Sequence, residues 1–256
     1  MKRFLTICCA LLACLQLAAQ EPKQQRLVFG LQFKPIVPTE VTRTLQESFV
    51  QNDITYVNKQ RNGYALGMYM RKSFNKRYAI ETGINYVVRK YRTTINVPDS
   101  VPLSDSLDFR IVGYEIPVTG LIFVKLGEQL YMNNAFGLSF NMFPSDVAAG
   151  NQVYQQIGRK QGWLQPALLA NHGYEFRSKK SGIFYLGATL QLPFWDMYRL
   201  TTNYRQEPRN ESTPSRLNGT YFTIDLRYAF HEEAEKKSQL NKRRDKKRTF
   251  KEFLPF

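Results

Sequence analysis

Cysteine is scarce in this chain: three in 256 residues, at Cys8, Cys9 and Cys14. All three fall in an N-terminal segment laid out like a leader, so the body beyond it holds no thiol for a disulfide or a thiolate-bound metal. Histidine is scarcer still, with only His172 and His231. Without cysteine beside them, two distant histidines do not make a metal-ligand spacing. Beyond the leader no apolar run approaches the roughly 20 residues that a membrane helix needs. The phosphate loop, Gly-x-Ser-x-Gly and His-Glu-x-x-His are absent too, which removes the sequence signals for nucleotide, serine-hydrolase and zinc-protease chemistry. Acid is in short supply, 21 Asp and Glu against 36 Lys and Arg, for a net charge of +15.

What is present begins with that leader. Lys2 and Arg3 form its charged start, residues 4–15 its apolar core, and Leu17-Ala18-Ala19 a small-residue cleavage site before Gln20. Residues 1–19 therefore read as a cleaved signal peptide. Leu11-Leu12-Ala13-Cys14 also resembles a lipobox, but Cys14 is followed by more apolar leader rather than a polar tether. At the other end, residues 231–256 form a separate tail that opens acidic and turns basic through Lys242, Arg243, Arg244, Lys246, Lys247 and Arg248. Two readings stand for it: a solvated extension, or an arm docking on an acidic periplasmic protein, inner-leaflet phospholipid or cell-wall polymer. Behind a signal peptide, nucleic acid is not the expected partner.

Between leader and tail the chain alternates. In residues 218–230, Phe222, Ile224, Leu226, Tyr228 and Phe230 share one parity, while Thr223, Asp225 and Arg227 share the other. Successive side chains of a strand point to opposite faces, so this is a strand with one apolar and one polar side. The same pattern recurs near residues 26–37, 64–71, 78–89, 111–125, 130–142, 164–176 and 183–195. Short turns near 73–76, 126–128 and 179–182 alternate with four long polar connections: up to Asn62, 96–108, 144–160, and up to Leu217. Eight strands with alternating short and long connections predict an all-β fold: an eight-stranded antiparallel up-and-down transmembrane β-barrel over residues 26–230, with short periplasmic turns and long outer loops.

Glycine fixes which face is outside. Gly30, Gly67, Gly83, Gly113, Gly137, Gly173 and Gly187 fall on the polar parity with Glu81, Asn85, Glu115 and Asp225. Small residues mixed with paired charges suit the cramped inside of a narrow barrel. The other parity carries Leu, Ile, Met and Phe, with aromatics towards strand ends, as a lipid-facing wall requires; the chain is 14% aromatic overall, with 15 Tyr and 18 Phe. Lys34, Arg71, Glu81, Arg89, Glu115, Glu175, Asp225 and Arg227 are then candidates for a buried ion-pair network that braces and fills the lumen. His172 lies on the apolar parity beside Tyr174 and Phe176 and reads as a girdle residue rather than a catalytic base.

Gly113-Tyr114-Glu115-Ile116-Pro117-Val118 resembles the Tyr-x-Glu-(Ile/Val)-Pro-(Leu/Val) strand of the PorT-like outer-membrane β-barrel family of Bacteroidota. That resemblance implies the same barrel, and it carries a link to protein secretion through the family's namesake, a secretion accessory. The resulting expectation is a non-enzymatic integral outer-membrane protein with a filled lumen and no cofactor. Its partners would be membrane lipid and the barrel-assembly machinery, and its role would lie in envelope structure, adhesion or secretion. The competing expectations are a lipid-modifying barrel enzyme and a secreted soluble barrel that carries an apolar ligand.

Overall fold

The computed structural model describes residues 26–38, 46–98, 103–152, 154–178, 181–206 and 209–230. The predicted signal peptide and the basic tail with Lys242–Arg248 as its docking surface lie outside the described residues. Thirteen strands follow in order: β1 Arg26–Val37, β2 Gln46–Gln51, β3 Ile54–Ser73, β4 Tyr78–Val97, β5 Leu103–Lys125, β6 Leu130–Met142, β7 Val147–Gly150, β8 Tyr154–Lys160, β9 Leu164–Ser178, β10 Gly182–Pro193, β11 Tyr198–Gln206, β12 Arg209–Leu217 and β13 Tyr221–Ala229.

Eight of them close on themselves in the order β1-β13-β10-β9-β6-β5-β4-β3, with β3 returning to β1. Every neighbouring pair is antiparallel. Closure leaves no unpaired edge, and a wall in contact with lipid needs that because lipid offers its backbone no hydrogen bonds. Pro117 interrupts the β4–β5 ladder without slipping it, since Thr82↔Val118 and Asn85↔Glu115 keep one register.

The facing is as the alternation requires. Phe29, Leu66, Met68, Phe136 and Leu226 point outward, Phe136 being 61% exposed, whereas Glu115, Glu175 and Asp225 are buried inside. Tyr64, Tyr86, Tyr114, Trp163 and Trp195 mark one rim of this apolar band, and Tyr78, Phe176, Phe184 and Phe230 the other. Tyr86 and Tyr114 meet edge to face at 5.9 Å. A greasy exterior between two aromatic girdles is the surface of a transmembrane barrel, and a soluble carrier barrel would have the opposite facing.

Glycine's placement has a steric cause. The Tyr185 ring crosses the lumen over Gly173 and Gly187, and a Cβ on Gly173 would lie 2.5 Å from the Tyr185 hydroxyl. At Gly137 the obstacle is backbone: a Cβ would lie 2.7 Å from Cα of Thr119 and closer still to the Val118 carbonyl. A side chain there must displace the β5–β6 ladder. Gly137→Ala is therefore expected to cost about 1–3 kcal/mol, the range for overpacking, read by urea unfolding in lipid vesicles. An unchanged midpoint would contradict this packing.

The long outer connections differ from expectation. They are strands: β2 forms a hairpin on β3, β4 and β5 run out to Val97 and Leu103, and β7, β8, β11 and β12 make a second sheet in the order β12-β11-β8-β7. Asn62-Gly63, where the first long connection is expected to end, is a bulge inside β3, where the β3–β4 register shifts between Arg61 and Tyr64. One extra residue inverts the facing, so above it Tyr56, Asn58 and Gln60 turn inward and the wall continues as an outer extension. That extension has cores of its own. Tyr91, Phe109, Ile111, Phe143, Met197, Tyr198, Leu200 and Leu217 form one, sealing the barrel mouth. Ile54, Tyr56, Ile95, Val97, Tyr154 and Tyr204 form a second one.

Candidate functional site

Among the described residues the buried charges gather in the lumen, and it is built in tiers. Alternation on β1, β3, β4, β9 and β13 aims charged side chains at the axis. Arg71 donates from Nε to Glu81 at 3.0 Å and from a terminal nitrogen to Glu175 at 2.6 Å. Arg227 donates to Glu81 and to Asp225, each at 2.7 Å. Lys34 approaches Asp225 at 3.6 Å, and Arg177 donates to Glu175 at 2.7 Å. Asp225 also accepts from the Thr189 and Thr223 hydroxyls, each at 2.6 Å, and from Asn171 at 3.0 Å. Tyr185 holds Asn171 in place with a 2.6 Å bond. The cations lie against rings: Arg71 over Phe123 at 5.2 Å, Arg227 over Tyr185 at 4.7 Å and Arg177 over Tyr131 at 4.1 Å.

Six of the eight residues expected in the network, namely Lys34, Arg71, Glu81, Glu175, Asp225 and Arg227, are thus joined directly. Arg89 and Glu115 are not part of that chain. They share the lumen at different heights, because Glu115 is opposite Asn85, four residues before Arg89. Glu115 accepts from Asn85 at 3.2 Å and from the Tyr221 hydroxyl. Arg89 lies over the Tyr221 ring at 4.8 Å and donates to Asn141 at 3.0 Å. Tyr221 is the wedge between them, and sequence reasoning missed it, along with Arg177, Asn171 and Tyr185. Their signal was available: each shares the inward parity of its strand.

Above Arg89 the first outer core closes the mouth. A polar layer follows, in which Thr93 donates to Asn58 at 2.6 Å and Asn58 to Ser215 at 3.2 Å. The second core caps it. Burial pushes the Tyr198 phenol up to about 12, so the hydroxyl that bonds the Ser145 carbonyl stays protonated at physiological pH.

Such an arrangement pairs the lumen carboxylates with cations and hydroxyls and holds charge in place. His172 is exposed on the outer face of the wall, 2.7 Å from Asn134 and edge-on to Tyr174. Among the described residues no cluster of three His, Cys, Asp or Glu is placed to hold a metal, and no helix is long and apolar enough to cross a membrane.

No family model and no curated protein matches the chain. Among solved structures it is similar to the outer membrane protein OprG from Pseudomonas aeruginosa, at 13% identity over 82% of this chain and 97% of that one, with a TM-score of 0.49. The attachment invasion locus protein Ail of Yersinia pestis aligns over 81% of this chain and 100% of its own at 8% identity, with a TM-score of 0.35. The β-domain of the Bordetella autotransporter BrkA aligns over 81% and 99% at 9% identity, with a TM-score of 0.29.

Proposed function

We propose that this protein is a sealed, non-catalytic barrel of the outer membrane that works through what its outer extension and periplasmic tail touch. Its role lies in envelope structure, adhesion or, following the PorT-like resemblance, as an accessory of protein secretion. One observation carries this reading: the lumen is occupied from end to end by ion pairs, then Tyr221 with Arg89, then two apolar cores separated by a polar layer. No solute path crosses such a stack, so the strands spent above the membrane serve display rather than transport. The residues that carry the PorT-like resemblance occupy a structural place in this stack. Glu115 anchors Tyr221, and Pro117 is buried in the wall.

Two measurements test the reading. Purified protein in planar bilayers is expected to give no conductance steps; stable unitary steps would refute a sealed lumen. A photo-crosslinker at Ser212, in the outer extension, is expected to capture an envelope partner that the same group at Lys125, on the opposite rim, does not. Identical adducts from both positions would count against a role for the extension.

A further inference from the structure

Just above the outer aromatic girdle, cations stand opposite cations. On the outward face Lys90 of β4 pairs with Arg61 of β3 on one side and with Arg110 of β5 on the other. Like charges directly opposite destabilise a sheet, and the next row shows the alternative: Arg92 faces Asp108 and donates two bonds to it, at 2.6 and 2.7 Å. Among the described residues Arg61, Lys90 and Arg110 have no ion pair, and all three are exposed. The motif recurs across the barrel, where Arg199 of β11 pairs with Arg159 of β8 and with Arg216 of β12. Of these three, Arg216 alone has a carboxylate near, Asp196 at 3.8 Å.

Height gives the rows a meaning. Along their strands Arg61, Lys90 and Arg110 each lie three or four residues beyond a rim aromatic: Tyr64, Tyr86 and Tyr114; Arg159 and Arg199 lie beyond the bends that carry Trp163 and Trp195. On β3, β4 and β5, at about 3.3 Å per residue and roughly 40° of tilt, that is about 10 Å above the girdle, the level of lipid headgroups. The first row also lines a cleft of about 1280 Å³, together with Lys59 and the Val147–Ala149 segment. Val37 and Val112 give this cleft an apolar part. Its two acids are already engaged, Asp108 by Arg92 and Asp146 by the Lys160 amide at 2.9 Å. Cationic side chains over apolar wall, at headgroup height, fit an amphiphile with phosphate on its head.

We propose that Arg61, Lys90 and Arg110, with Lys59 beside them, bind the phosphate groups of an outer-leaflet glycolipid of lipid A type, and that Arg159, Arg199 and Arg216 form a second such contact. The lipid phosphates supply the ion-pair partners that Arg61, Lys90, Arg110, Arg159 and Arg199 lack among the described residues, and they fix the barrel's depth. This inference rests on the outer-membrane reading above. Native mass spectrometry of the full chain, released from micelles supplemented with diphosphorylated lipid A, tests it. Wild type is expected to retain the lipid and to lose it when the lipid is enzymatically dephosphorylated. The triple variant R61Q/K90Q/R110Q is expected to weaken the first contact on the order of a hundredfold, since each cation near an anionic surface contributes a severalfold factor, so that the second bound lipid is lost and only the one at the Arg159, Arg199 and Arg216 contact is retained. K72Q/K125Q, at the opposite rim, is expected to leave retention unchanged. Equal retention of the dephosphorylated lipid, or an unaffected triple variant whose β-sheet circular dichroism matches wild type, overturns the proposal. Displacement of the lipid by equimolar inorganic pyrophosphate would assign the site to a free anion instead and also overturn it. A wild-type chain that fails to enter vesicles would instead refute the membrane reading, so the two failures are distinct.

Discussion

Asp225→Asn is expected to cost about 3–5 kcal/mol, the range for breaking a buried ion pair from one side. The substitution keeps the shape and removes the charge. Asp225 is fully buried and receives Arg227, Lys34, two threonine hydroxyls and Asn171. Every one of these partners donates, and an amide replaces half of the accepting surface with a donor aimed at other donors. Arg227 retains Glu81 at 2.7 Å. Lys34 keeps no carboxylate, because Asp225 is its one ion-pair partner among the described residues. A buried ammonium left without a counter-charge is the larger part of the cost. Urea unfolding in vesicles of short-chain lipid gives the number, and a second variant makes it specific. Lys34→Met placed on Asp225→Asn is expected to restore about 0.5–3 kcal/mol of coupling energy, since it removes the stranded cation. If the double variant is simply the sum of the two single losses, Lys34 and Asp225 do not act as a pair.

The contrast between this site and the rest of the lumen shows what a sequence can reveal. Parity alone placed Asp225 and Arg227 inside and Leu226 outside, because a barrel wall with lipid on one side forces strict alternation. It does not separate Arg89 and Glu115 from the ion-pair chain of the other six. Both face the axis, but height along the axis depends on which residue of β4 pairs with which of β5, and Asn85↔Glu115 is a tertiary fact with no local signature. The outer strands were hidden for another reason. β12, Arg209–Leu217, reads RNESTPSRL, whose charge and proline suggest a loop by composition. It becomes a strand because Thr213, Ser215 and Leu217 bury inward while Arg216 and Pro214 stay exposed, an alternation too polar on both sides to register without its partner β11. Asn62-Gly63 misled in the same way: a turn pair by propensity, it serves as the bulge that lets one continuous strand change its facing and leave the membrane.

One position away from Asp225 the physics reverses. Leu226 stands 48% exposed on the outside of the wall, flanked by Phe33 of β1 and Leu186 of β10, which are outward and apolar as well. Leu226→Lys is expected to destabilise by about 2–4 kcal/mol, the cost of a cation near the bilayer midplane of a barrel, while Phe230→Lys at the rim is expected to cost about 0–1 kcal/mol. The difference arises because the rim ammonium reaches headgroups and water, whereas the mid-wall one must thin the bilayer or stretch to escape it. The medium separates this from any loss of packing. Leu226 has its partners on the lipid side, so moving both variants from bilayers to detergent micelles is expected to shrink the Leu226→Lys deficit and leave that of Asp225→Asn in place, since lumen contacts do not sense the solvent outside the wall. Equal deficits at Leu226 and Phe230 in bilayers, or a Leu226→Lys cost indifferent to the medium, would mean that this face does not look into hydrocarbon.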